Sequence, residues 1–172
     1  MRNKAITQIG AALVLLGSIA MASAADRGSQ KFITEAIQGN LAEVEVGKLA
    51  QQKGQSDAVR SFGQRLMSDH SDANQKATEL ARQLGVTPPN EPNAKQKAIY
   101  DKLSKLSGEA FDRAFAKAMV ADHKQDIKEF EKQAKKNDPA AQFANETLPV
   151  LRKHLEMAQG LSSNKPGQGR SR

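Results

Sequence analysis

Along residues 66–84 the apolar or small positions are Leu66, Ala73, Ala77, Leu80 and Leu84, and His70 stands where the same rhythm asks for another apolar residue. The steps are four, three, four, three and four, the spacing of a helix seam that faces other helices rather than water. The seam extends back through Phe62 and Val59, with Ser56-Asp57 as its start signal and Gly85 as its stop. Upstream, a helix is predicted over residues 29–52, with Ser29 as N-cap, Gly54 as stop, and Ile33, Ile37, Leu41 and Val44 as its apolar stripe. Beside that stripe runs a row of smaller residues, Ala36, Asn40, Glu43, Gly47 and Ala50, that would let another helix come close. Glu43 in this row is either an edge carboxylate reaching water or a buried one that needs a partner.

Pro88, Pro89 and Pro92 break the chain over residues 86–93. A short helix follows over residues 94–106, with Ile99, Leu103 and Leu106 on one side, and Ser107-Gly108 ends it. The next long helix, residues 109–136, carries Phe115, Met119, His123, Ile127, Phe130 and Ala134 on one face. Asp138 then caps a helix that has Pro139 in its first position. Its seam is Ala140, Ala144, Thr147, Leu151, His154, Ala158 and Leu161, and Pro149 predicts a kink about one turn before His154. Four long helices with two short connections and one long one define an all-α protein: a ferritin-like four-helix bundle whose long connection contains a short extra helix.

The ends of the chain read differently. Arg2 and Lys4, the apolar run over residues 11–19 and the small-residue site Ala22-Ser23-Ala24 form a secretory signal peptide, with cleavage expected after Ala24. The apolar run falls short of the roughly 20 residues needed to span a bilayer. No transmembrane span is therefore expected after cleavage, and an exported, periplasmic location is. Residues 1–24 are thus the signal peptide, 25–161 the bundle and 162–172 a disordered basic tail without periodicity.

Charge narrows the partners. Of the formal +7, Arg2 and Lys4 leave with the signal peptide and Lys165, Arg170 and Arg172 lie in the tail, so the bundle itself is near +2. Lys and Glu are interspersed and no basic stripe with aromatics appears, so no nucleic-acid partner is indicated. With no Cys in the sequence, no disulfide staples the fold, and any metal must use imidazole, carboxylate or thioether ligands.

The chemistry rests on the histidines. The chain has three, His70, His123 and His154, each mid-helix on a buried stripe and each about 15 residues from a short loop. At 1.5 Å rise per residue all three lie roughly 22–24 Å into the bundle, with Glu43 about one turn away in level. Glu43, His70, His123 and His154 are therefore the candidate ligands of a transition metal ion, Cu, Zn, Fe or Mn. The alternative is a structural or stress-related module whose buried His/Glu layer only fixes helix packing. Met67, Val120 and Leu151 stand three residues before the histidines, so the Glu-x-x-His pattern of di-iron carboxylate sites is absent. Met67, Met119 and Met157 each lie within a turn of a histidine and are possible auxiliary thioether ligands, a pairing that suits copper, though Met is also ordinary core filler. Asp69 and Asp122 precede two of the histidines but point about 100° away round the helix, toward the surface or a supporting role. No nucleophile motif or glycine-rich phosphate loop is present, so no reaction is indicated.

The row from Asn40 through Glu43 and Gly47 to Ala50, the Asp69-His70 and Asp122-His123 pairs, and the Leu148-Pro149 step followed by His154-Leu155 together resemble the bacterial family known as domain of unknown function 4142. The resemblance covers roughly residues 30–161. It implies an exported, ferritin-like helical bundle and carries no activity with it. An outer-membrane label, often given to such proteins, finds no alternating strands here from which a barrel would be built.

Overall fold

The computed structural model describes residues 19–163, with side chains from residue 27 onward. Most of the expected signal peptide and most of the basic tail lie outside the described residues. Five helices make up the described chain: α1 (Ile19–Lys53), α2 (Asp57–Gln83), α3 (Ala94–Ser104), α4 (Gly108–Ala134) and α5 (Pro139–Ser163). All but α3 are long, as the apolar periodicity predicts.

The start of α1 differs from the sequence expectation. Ser29 is not its N-cap: the helix already runs from Ile19, and Ser29 lies inside it, buried. Ala20, Ala22, Ala24 and Ala25 carry the highest intrinsic helix propensity, so nothing stops the helix at the capping residue. The other signals act as read. The Ser56 hydroxyl accepts from the Val59 N–H, and Asp138 Oδ1 accepts from the Ala141 N–H at 2.9 Å. At Gly85, φ is +70° and the Gly85 and Val86 N–H groups return to the Arg82 and Ala81 carbonyls, which closes α2. α5 continues through the exposed Pro149.

α1 packs on α2 and α4 on α5, and the two hairpins meet through α2 with α5 and α1 with α4. The first of α4's turns sits at the α1–α2 loop, where Asp112 accepts the Gln55 and Ser56 N–H groups, both at 2.9 Å. At the other end, Gln30 on α1 donates to the Leu84 carbonyl. The connection from α2 to α4 therefore crosses the length of the bundle, and α3 lies along it against α1 and α4. α1 and α2 come closest where Gly47 faces Gly63: a Cβ on Gly63 would lie 2.7 Å from the Gly47 carbonyl oxygen.

In α1 the core-facing row is the one of small residues. Ala36, Asn40, Glu43, Gly47 and Ala50 are buried beside Ile33 and Ile37, whereas Leu41 and Val44 of the expected stripe are only half-buried. The close α1–α2 crossing turns that row inward. Along the bundle axis the apolar core divides in two. One cluster holds Val46, Leu49, Val59, Phe62, Phe111, Phe115 and Met119; the other holds Ile33, Ile37, Ala77, Phe130, Phe143 and Leu151. Between them lies a polar layer.

Candidate metal centre

That layer contains Asn40 and Glu43 from α1, His70 from α2, His123 from α4 and His154 from α5. Their exposures are 6%, 3%, 4%, 0% and 1% respectively. The depth reasoning from the sequence places the three histidines together, and they do meet: ring centroids are 5.8 Å apart for His70–His123, 5.2 Å for His70–His154 and 5.3 Å for His123–His154. One ring nitrogen from each lies within 4.8 Å of one from each of the others. Phe62 stacks edge-on against His154 and forms the apolar wall on that side.

The hydrogen bonds fix where the protons are. His123 Nδ1 is 3.0 Å from the Met119 carbonyl, which can only accept, so Nδ1 carries the hydrogen. His154 Nε2 is 2.9 Å from Asp69 Oδ2 and donates to it. His70 Nδ1 lies 2.9 Å from Asn40 Oδ1 and likewise donates. Each neutral ring is then left with one bare nitrogen: His70 Nε2, His123 Nε2 and His154 Nδ1. The last two are 3.3 Å apart, and His70 Nε2 has no hydrogen-bond partner among the described residues. Each outer N–H is held by a carbonyl or carboxylate oxygen, the arrangement that orients imidazoles toward a metal.

Burial favours this neutral state. It lowers all three imidazoles below their ordinary range, His70 with further contributions from its two histidine neighbours and His123 to about 4. For His154 the Asp69 carboxylate opposes the burial effect without cancelling it. Asp69 is itself held by Arg65, whose Nε donates to Oδ2 at 2.6 Å.

Glu43 is buried, not a residue reaching for water. Its carboxylate groups with Asp122 and His123, ligand atoms within 4.8 Å of one another, and among the described residues Oε2 has no hydrogen-bond partner. Burial first, and then the Asp122 carboxylate, push its pKa well up. Asp126, one turn beyond Asp122, is raised to about 8 by burial and then by Asp122 and Glu129. Of the three methionines named as auxiliary ligands, Met119 is buried in the apolar cluster and Met157 packs against it, while the Met67 sulfur accepts from Gln51. Met119 meets His123 through its backbone carbonyl.

Two cavities among the described residues reach His70. One of about 270 Å³ opens between α1, α3 and α4, with Asn40, His70, Asp122 and Asp126 on its wall. Another of about 210 Å³ lies between α2 and α5, lined by Asp69, His70 and Leu151 among others. Sequence reasoning missed Asp126, whose signal was its position four residues after Asp122. It also placed Asp69 away from His70 without finding that it crosses to α5.

No curated protein matches the chain. The crystal structure of a DUF305 fragment from Deinococcus radiodurans superimposes with a TM-score of 0.70 at 14% sequence identity, over 78% of this chain and 95% of that one, so the helical fold is shared. A family model described as a domain of unknown function, DUF4142, matches residues 16–161, and the chain belongs to that family.

Proposed function

We propose that this protein binds a transition metal ion, Cu, Zn, Fe or Mn, through His70, His123 and His154. One observation carries the reading: the bare nitrogens of His123 and His154 face each other at 3.3 Å with the outer hydrogens of both rings committed elsewhere. Two lone pairs at that distance repel unless a proton or a cation stands between them. A proton would make one ring cationic, which the burial of both opposes. A metal ion uses both lone pairs and the third on His70. This speaks against the competing reading, in which the layer only fixes helix packing. Three nitrogen ligands leave a further position open, and the cavities that reach His70 give it access from outside. The signal-peptide pattern in residues 1–24 supports a site loaded outside the cytoplasm, in the periplasm.

The test is direct. Purified protein exposed in turn to Cu, Zn, Fe and Mn and passed through gel filtration is expected to retain stoichiometric metal and to melt at higher temperature with it. Absence of bound metal by elemental analysis, with an unmoved melting temperature, would overturn the proposal.

A further inference from the structure

The carboxylates beside the histidines form more than a flank. Glu43 on α1 and Asp122 on α4 lie together beneath α3, with ligand atoms within 4.8 Å of each other. A partly open void of about 20 Å³ lies there, with Glu43, Gln96 and Asp122 as its polar wall and Val46, Ile99 and Met119 among its apolar one. That is room for about one water-sized particle. Glu43 is 3% exposed, and among the described residues its Oε2 has no hydrogen-bond partner. A buried carboxylate oxygen left unpaired is costly, and an ion is one of its few explanations. Gln96 does not fill the role: its Oε1 accepts the Asn93 N–H in the cap of α3, and its amide does not donate to Glu43 Oε2.

We infer that Glu43 and Asp122 hold a second, hard divalent cation of the Mn²⁺ type, next to the ion held by the three histidines, so that the polar layer is a two-ion centre. The donor chemistry separates the sites: imidazole nitrogen suits Zn or Cu, and paired carboxylate oxygen suits Mn or Mg. Charge separates them too. Three neutral imidazoles bring no compensation for a dication, whereas an ion seated between Glu43 and Asp122 would hold both in the charged form and be compensated by them. His123 stands between the two sites, close to both groups. The larger cavity, with Asp122 and Asp126 on its wall, leads to the carboxylates from outside.

This goes beyond the proposed histidine site and is tested separately from it. Protein loaded with one equivalent of Zn²⁺ is titrated with Mn²⁺, bound zinc being read by elemental analysis and bound manganese by electron paramagnetic resonance. The expected result is one further Mn²⁺ per chain on the zinc-loaded protein. Glu43→Gln and Asp122→Asn should each weaken Mn²⁺ binding at least about tenfold while the zinc equivalent stays. Zinc bound without manganese overturns this inference and leaves the histidine site standing. Loss of zinc in Glu43→Gln also overturns it, because Glu43 then belongs to the histidine-bound ion. Failure of both metals overturns both readings. Asp122 is only half-buried, so its variant tests the site should Glu43→Gln lose helicity.

Discussion

Asp69 and His154 are 85 residues apart in sequence, and Asp69 Oδ2 accepts the His154 Nε2 hydrogen at 2.9 Å. α2 thus supplies both a proposed ligand, His70, and, one residue earlier, the group that fixes the tautomer of a ligand on α5. Arg65 holds Asp69 in turn, so the orientation of His154 depends on a chain of two side chains reaching the surface. Asp69→Ala should weaken metal binding by about 10–100-fold through loss of that orientation. Isothermal titration with Zn²⁺ measures it, and unchanged affinity would show that Asp69 is only a surface partner.

His123→Leu separates binding from folding. His123 is fully buried, and its one donated hydrogen bond goes to the Met119 carbonyl in its own helix. Leucine removes the facing lone pairs and adds apolar volume to the seam. Metal binding should be lost while apo stability is unchanged or raised. A hydrogen-bond hub would instead lose about 1–3 kcal/mol, because its partners are left unpaired. Urea unfolding of the metal-free proteins decides between these outcomes.

Acidification should release metal late. Burial keeps His123 unprotonated down to about pH 4, so protons compete for it only there, below the range of an exposed imidazole. Metal retention measured by dialysis across the acid range should fall near that value; release complete by about pH 6 would mean that the rings titrate as if in water.

The metal-free protein carries two opposing pH dependences. The imidazoles have folded pKa values below the unfolded 6.5, so their stability is present above that value and is lost as pH falls toward about 4. For His123 alone this amounts to about 3 kcal/mol. Asp126, raised from 3.8 to about 8, acts the other way: its stability is present below the unfolded value and is lost as pH rises toward 8. Glu43 acts in the same direction as Asp126. Apo stability should therefore be nearly level across this window. Asp126→Asn removes one opposing member, so its stability should fall more steeply with acid, by about 1–2 kcal/mol between about pH 7.5 and 5, discounted because Asp126 opens onto a cavity. Parallel curves for variant and wild type would show that Asp126 titrates normally.

At the α1–α2 crossing, Gly63→Ala should cost about 1–3 kcal/mol, since the backbone it meets cannot turn aside. The added Cβ would lie 2.7 Å from the Gly47 carbonyl oxygen and 2.8 Å from the Ala50 Cβ. Thermal melts measure the loss. A neutral result would mean that the helices separate freely, and the geometry of Asn40 and Glu43 against His70 would then move with them.

Much of this was legible in the sequence because it depends on period and loop length alone. The spacing around His70, the short loops and the Asp138-Pro139 start fixed which helices are neighbours and the depth of each histidine. Partners across helices were not legible. The sequence left Glu43 open between edge and core, and only the Gly47–Gly63 approach, which rotates α1 inward, decides it. The reach of Asp69 to His154 and the closeness of Asp122 to Glu43 depend on side-chain direction between elements, for which a single chain's periodicity carries no signal. Ser29 misled for the opposite reason: a local cap signal lost to a run of alanines before it.

The division of the apolar core by a polar layer has a consequence for assembly. The α1–α2 hairpin carries Glu43, Asp69 and His70, and the α4–α5 hairpin carries Asp122, His123 and His154, so neither hairpin holds a complete ligand set. At the midplane the two halves meet through groups that gain little from leaving water. In the metal-free chain this level adds least to the contact between the hairpins, which the apolar clusters on either side hold together, so its amides should exchange with solvent before those of the clusters do. An ion bound there would act as a rivet between the two halves, and would make their separation and the unfolding of the whole a single event.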